Sequence, residues 1–268
     1  NQENSFVETT NNIMGYYYEP TYRPQKDFGW LLGGYGNTKL EAYNALGRES
    51  EQTRNAVPVF NDITAGRKMY KNSLFMFVNM LDRLGPEKTT AAMHTTFRKY
   101  NYEHGSNMSS SEAIVESFSQ TGGYNVIPYF EGWHIHASEV LEDKIYDQDL
   151  PMLYYLRNLY TNDEEAETVR QALAEKGKVM NGIYSLVSTD DLAELQRNDT
   201  SNVTLNVSID DLEKIRGKYV VIKNGSKIVK RLPVENAQIT ATLPVGIYEV
   251  ELPMPREKNY QYGNEYLV

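Results

Sequence analysis

The sequence has no cysteine, only four histidines, and no long apolar run. Without cysteine there are no disulfides, no thiolate-held zinc or iron–sulfur sites, and no thiol nucleophile. The longest apolar stretches, such as Leu74-Phe75-Met76-Phe77-Val78, fall far short of the roughly 20 residues a membrane-crossing helix needs. Positive charge is also in deficit. With 27 basic and 36 acidic residues the net charge is −9, and no basic stripe offsets it locally, which argues against nucleic acid as a partner. What the chain has in excess is tyrosine: 21, against 8 Phe and 2 Trp. A flat apolar ring with a polar tip suits helix packing, and it also suits stacking on sugars. The 268 residues, 40% of them hydrophobic, are enough for one large domain or two modest ones.

Apolar spacing divides the chain into two parts. Up to about residue 195 it is helical. Asn72 or Ser73 is expected to cap a helix carrying Leu74, Phe75, Phe77, Val78, Leu81 and Leu84, with Gly85 as its stop and Pro86 opening the next helix. Ser109-x-x-Glu112 has the form of a capping box. Leu150 to Tyr160 is expected to be helical. So is Asp163 to Lys176, with acids in its first turn and Gly177 behind it, and a short helical turn follows at Thr189 to Leu195. After 196–202 the period falls to two. Val203, Leu205, Val207 and Ile209 alternate with polar residues, as do Ile239, Ala241 and Leu243, and then Tyr248, Val250 and Leu252. Asn224-Gly225 is a tight-hairpin dipeptide between two such runs. The expected fold is α+β: a helical part over 1–197 followed by a small antiparallel β-sandwich over 198–268.

Residues that carry chemistry are sparse. There is no His-Glu-x-x-His, no Gly-x-Ser-x-Gly and no P-loop. The glycines of Leu31-Leu32-Gly33-Gly34-Tyr35-Gly36 lack a strand-to-helix setting and read as a loop. His134-x-His136, with Glu139 nearby, places two imidazoles on one face of an extended segment, one ligand short of a metal site. The acid pairs Asp147/Asp149 and Glu164/Glu165 read as solvated groups or helix starts. Asn-x-Ser/Thr triplets begin at Asn107, Asn198, Asn202, Asn206 and Asn224, as a polar strand-rich composition produces them.

Three segments point further. Phe6-Val7-Glu8-Thr9-Thr10-Asn11-Asn12-Ile13-Met14-Gly15-Tyr16-Tyr17 resembles the helix that follows the His-Glu-x-x-His motif in enhancin-like zinc metallopeptidases, which are mucin-directed gluzincins. Gly122-Gly123-Tyr124-Asn125-Val126-Ile127-Pro128-Tyr129-Phe130-Glu131-Gly132-Trp133 is similar to the Gly-Tyr-Asn-Leu-x-Pro-Phe-Phe-x-x-Trp stretch of that family's helical region. Leu243-Pro244-x-Gly246-x-Tyr248-x-Val250-x-Leu252-Pro253, with Tyr266-Leu267-Val268, resembles the sandwich that follows it, a module associated with mucin or carbohydrate binding. The matches cover most of the chain and stand in the family's order.

The resemblance implies zinc as cofactor, glycans of mucin or another glycoprotein as partner, and a secreted or cell-surface bacterial setting. It assigns Glu8 as the third zinc ligand. Trp133, Tyr260 and Tyr262 are the candidates for sugar contact. The family's two zinc histidines and its general-base Glu have no counterpart in these residues: His94, His104, His134 and His136 lack the spacing, so no catalytic residue is assigned here. The expectation is therefore the C-terminal part of a larger peptidase, inactive by itself. The alternative is a non-catalytic protein of the same fold that binds glycans or surfaces, and a third reading makes the sandwich a buttress for the helical part.

Overall fold

The computed structural model describes residues 36–56, 67–99, 110–133, 135–195, 200–206, 212–224, 227–244, 248–253 and 265–267. Among these, α1 (Lys39–Ala56), α2 (Arg67–Arg98), α3 (Ser110–Gly122), α4 (Ile127–Glu131) and α5 (Glu139–Tyr146) come first. Next are β1 (Leu153–Tyr155), a 3-10 turn (Leu156–Leu159), α6 (Asp163–Glu175), β2 (Leu186–Ser188) and α7 (Thr189–Glu194). Six strands follow: β3 (Thr200–Asn206), β4 (Tyr219–Asn224), β5 (Lys227–Pro233), β6 (Gln238–Pro244), β7 (Tyr248–Glu251) and β8 (Glu265–Leu267). The fold class is α+β, with the helices mostly N-terminal. No helix among the described residues is long and apolar enough to cross a membrane.

α2 is the centre of the helical unit. Phe75, Met76, Phe77, Val78, Asn79 and Met80 are consecutive and all buried, so protein surrounds this stretch on every side. Gly85 (φ 79°) and Pro86 break the helix where the sequence places a stop and a new start. Only glycine takes such a backbone without strain, and proline needs no amide partner at a helix start. The beginning of α2 corrects the expectation. The helix starts by Arg67, so Asn72 and Ser73 lie inside it rather than at a cap. Arg67-Lys68-Met69 are good helix formers, and propagation through them outweighs a weak capping preference.

A second correction concerns Leu150 to Tyr160. Instead of a helix, Leu153–Tyr155 is a strand paired antiparallel to Leu186–Ser188, and Leu156–Leu159 is a 3-10 turn. Pro151 and the two tyrosines favour an extended start, and β2, itself absent from the sequence reading, supplies the partner. α6 forms as expected. The Asn162 side chain accepts from the Glu165 amide at 2.9 Å, and Gly177 turns the chain out at φ 79°. α7 carries a full capping box between Ser188 and Asp191. Ser109 lies outside the described residues.

The strands pair as the alternation anticipates. β4 and β5 form the hairpin, running from Tyr219↔Pro233 to Asn224↔Lys227. The sheets are β3-β6 and β5-β4-β7-β8. In β6, Ile239, Ala241 and Leu243 are buried while their neighbours are exposed, and they share one core with Val220, Ile222, Leu232, Val234, Tyr248 and Val250 from the other sheet. This is a small sandwich. Its core is separate from that of the helical unit, which runs from Ala42 to Val187.

Phe118 on α3 is fully buried, with ring centroids 5.9 Å from both Phe77 and Phe130. Phe118→Ala is expected to destabilise the helical unit by about 3–5 kcal/mol. Urea unfolding followed by circular dichroism measures this; a loss below about 1 kcal/mol would mean that α2, α3 and α4 do not share one rigid core.

Candidate functional site

The segment Gly122–Trp133, singled out by resemblance, is built as a clamp. Gly123 (φ 77°) turns the chain out of α3. Asn125 then binds in three directions: its amide donates to the Pro151 carbonyl (2.9 Å), its carbonyl accepts from the Leu153 amide (2.9 Å), and its Oδ1 accepts from the Ile127 amide (3.0 Å). One residue thus ties the end of α3, the start of α4 and the approach to β1. The Arg83 guanidinium lies 4.8 Å from the Tyr124 ring centroid, and its Nη2 donates to the Tyr124 and Ser188 hydroxyls, each at 3.0 Å. The Tyr129 hydroxyl donates to the Met76 carbonyl at 3.0 Å, pinning α4 to α2.

Two charge clusters flank this clamp. Glu116 on α3 is buried and takes Lys99 Nζ and Lys144 Nζ at 2.7 Å each. Burial pushes its carboxyl up, but hydrogen bonds and charge from Lys144 and Lys99 outweigh that and hold it below the usual carboxylate range. Asp191 is likewise buried and also held low. Burial opposes this, while the Ser188 amide (2.8 Å), Arg83 (2.6 Å) and Lys178 (3.1 Å) prevail. Each anion has two cations within reach, so these groups stabilise position and offer no free base. Sequence reasoning missed both clusters. A Glu in the apolar run Ile114-Val115-Glu116-Ser117-Phe118 and an Asp three residues after Ser188 were the available signals.

The residues expected to act fall differently. Trp133 is 1% exposed, its ring 6.0 Å from that of Tyr155 and surrounded by core, so it presents no face to a sugar in this conformation. Glu8, Tyr260, Tyr262, His104 and His134 lie outside the described residues, as do Leu31 to Tyr35. His136 is exposed in the irregular stretch before α5, and Glu139 is exposed in the first turn of that helix. Glu164 and Glu165 stand at the start of α6, and Asp147 follows α5. Asn202 and Asn206 are exposed on β3, where they accept side-chain hydrogen bonds from Thr242 (2.7 Å) and Gln238 (3.3 Å). Among the described residues no group of three or more histidine or acidic side chains is placed to hold a metal ion.

The low-lying carboxyls of Glu116 and Asp191 set a pH dependence. Each binds its proton more weakly folded than unfolded, so its stabilisation is present above the ordinary carboxylate range. It is lost as pH falls below about 4.5 for Glu116 and about 3.8 for Asp191. Glu116→Gln is expected to cost about 3–5 kcal/mol at neutral pH, because half-buried Lys99 loses its counter-charge, and to flatten the acid limb of a urea-stability profile. An unchanged acid limb would remove Glu116 from this role. In comparisons with known proteins, the chain matches no family model, no curated protein and no solved structure.

Proposed function

We propose that this chain works as part of an enhancin-like zinc metallopeptidase that is secreted or held at a bacterial surface and acts on mucin-type glycoproteins. The observation that carries the reading is order. The Glu8 segment, the Gly122–Trp133 segment and the Leu243–Pro253 segment occur in the family's sequence, each at its own place along the chain. In this reading Glu8 contributes the third zinc ligand. The two histidines and the general-base Glu come from a His-Glu-x-x-His helix outside these 268 residues. The described residues do not make a metal site, so no chemical step is assigned to them. Their part is architectural: α2, α3 and the Asn125 clamp form a rigid support, and the sandwich carries the glycan contact. Tyr260 and Tyr262 are the residues proposed to stack on sugar rings.

The test uses a protein that joins this chain to a His-Glu-x-x-His helix, together with the chain alone. With zinc, the longer protein is expected to cleave mucin and the 268-residue chain is not. Glu8→Ala in the longer protein is expected to lower kcat/KM by on the order of 100-fold or more, since zinc catalysis requires three protein ligands. Tyr260→Ala and Tyr262→Ala should each weaken retention on immobilised mucin by about 2- to 10-fold, the free energy of one aromatic contact. Mucin cleavage by the chain alone would overturn the assignment of the catalytic groups. Full retention with no cleavage by either protein would favour a non-catalytic glycan-binding protein.

A further inference from the structure

The edge of a sheet presents a row of backbone N–H and C=O groups. A protein that stays unpaired there blunts the edge with charge, proline, a bulge or a short strand. Most edges among the described residues are blunted in this way. β5 carries Lys227, Lys230, Arg231 and Pro233, and its register with β4 shifts at Ile222/Lys223. β8 is three residues long and starts on Glu265. β1 and β2 are three residues each and buried throughout. β6 ends on Pro244, and Lys230 of β5 donates to its Thr242 carbonyl at 3.2 Å.

β3 has none of these devices. Thr200–Asn206 is seven residues without charge, proline or glycine. It pairs with β6 in an unbroken register from Thr200↔Pro244 to Asn206↔Gln238. Among the described residues no strand lies on its other side. Its faces are sorted by polarity: Asn202, Thr204 and Asn206 are exposed, while Val203 and Leu205 are half-buried against the sandwich core. On β6 the core-facing Ile239, Ala241 and Leu243 are buried, so the cover over the core thins toward β3. The Thr242 hydroxyl donates to Asn202 Oδ1 at 2.7 Å. This uses the Asn202 acceptor and leaves its Nδ2, like the Thr204 hydroxyl, without a hydrogen bond to any described residue.

We propose that β3 is a homodimerisation edge: two copies of this chain pair antiparallel along β3 about a two-fold axis through Val203. This inference does not depend on the peptidase reading. A two-fold interface requires a self-complementary surface, and β3 supplies one. Directly opposite residues of an antiparallel pair share a face, so the axis must pass through a residue, and any centre other than Val203 leaves part of the strand unpaired. With Val203 at the centre, Thr200 stands opposite Asn206 of the second copy, and Asn202 opposite Thr204. The Asn202–Thr204 pair repeats the kind of cross-strand contact that Asn202 already makes with Thr242, now with the amide donating and the hydroxyl accepting. On the core side Val203 meets Val203, and Leu205 gains the cover it lacks. No charges are brought together along the strand, although each copy carries a net charge of −9. The joined edges make one continuous sheet in the order β6-β3-β3-β6.

An edge of seven residues spans about 23 Å, small for an interface, so the dimer is expected to form at roughly tens of micromolar. Sedimentation velocity of the whole chain between about 1 and about 300 µM should show monomer passing to dimer. Asn202→Lys combined with Thr204→Lys changes exposed positions only and sets lysine opposite lysine on both sides of the axis. It should weaken the dimer by about 10-fold or more with an unchanged circular dichroism spectrum. Mixing that variant with Asn202→Asp/Thr204→Asp should restore a dimer. Register is read from disulfides, since the chain has no cysteine of its own. An oxidised mixture of the Asn202→Cys and Thr204→Cys proteins should cross-link to each other several-fold more than either does to itself. A chain that stays monomeric to about 300 µM, a dimer that tolerates the double lysine variant, or cross-links without preference for the mixed pair would each overturn the proposal.

Discussion

The helical unit depends on one constraint: α2 is enclosed on all sides over Phe75 to Met80, and one residue of that stretch is an asparagine. A buried amide must find its hydrogen bonds inside the protein, or its desolvation is uncompensated. Asn79 finds them by joining elements. Its Oδ1 accepts from the Tyr43 hydroxyl on α1, and its Nδ2 donates to the Phe75 carbonyl at 2.9 Å and to Tyr155 on β1 at 2.6 Å. The same rings build a T-shaped pair, Tyr43 with Phe75 at 5.0 Å, and a tilted pair, Tyr129 with Tyr155 at 5.1 Å. A polar core group of this sort contributes little net stability, but it penalises any arrangement in which α1, α2 and β1 are out of register. The tyrosine excess of the composition is put to use here.

Local signals were readable wherever a single residue does the work. The Gly85-Pro86 break, the Gly177 stop behind α6 and the strict alternation of β6 each follow from one backbone or side-chain requirement that no distant contact overrides. Where structure depends on a partner far along the chain, the sequence was silent or misleading. Leu153–Tyr155 is a strand because Leu186–Ser188 lies beside it, more than thirty residues away. The same holds for the candidate site. The sequence offers Trp133 as a candidate for sugar contact on its aromatic face alone. In the fold it turns inward, because α4 is a short helix laid between α2 and β1.

Charge is organised on the same principle of local neutrality. Among the described residues the two buried carboxylates, Glu116 and Asp191, are matched by cations. Glu116 has two lysines, and Asp191 has an arginine and a lysine. These pairs contribute specificity more than stability, since desolvation offsets most of the attraction.

This separation of roles bears on what a resemblance transmits. In Gly122–Trp133, the residues that make the motif recognisable are engaged in packing: Tyr124 under Arg83, Asn125 in its three hydrogen bonds, Tyr129 on the Met76 carbonyl, Phe130 against Phe118. A motif of that kind carries an architecture. A protein sharing it shares the clamp that orients α3, α4 and β1, whatever is mounted on them. Chemistry has to be argued from a different set of residues. Their substitution can alter activity or binding while leaving the clamp intact. Substitution of Asn125 would instead remove the support beneath any site, at a cost measured in stability first and in function only through it.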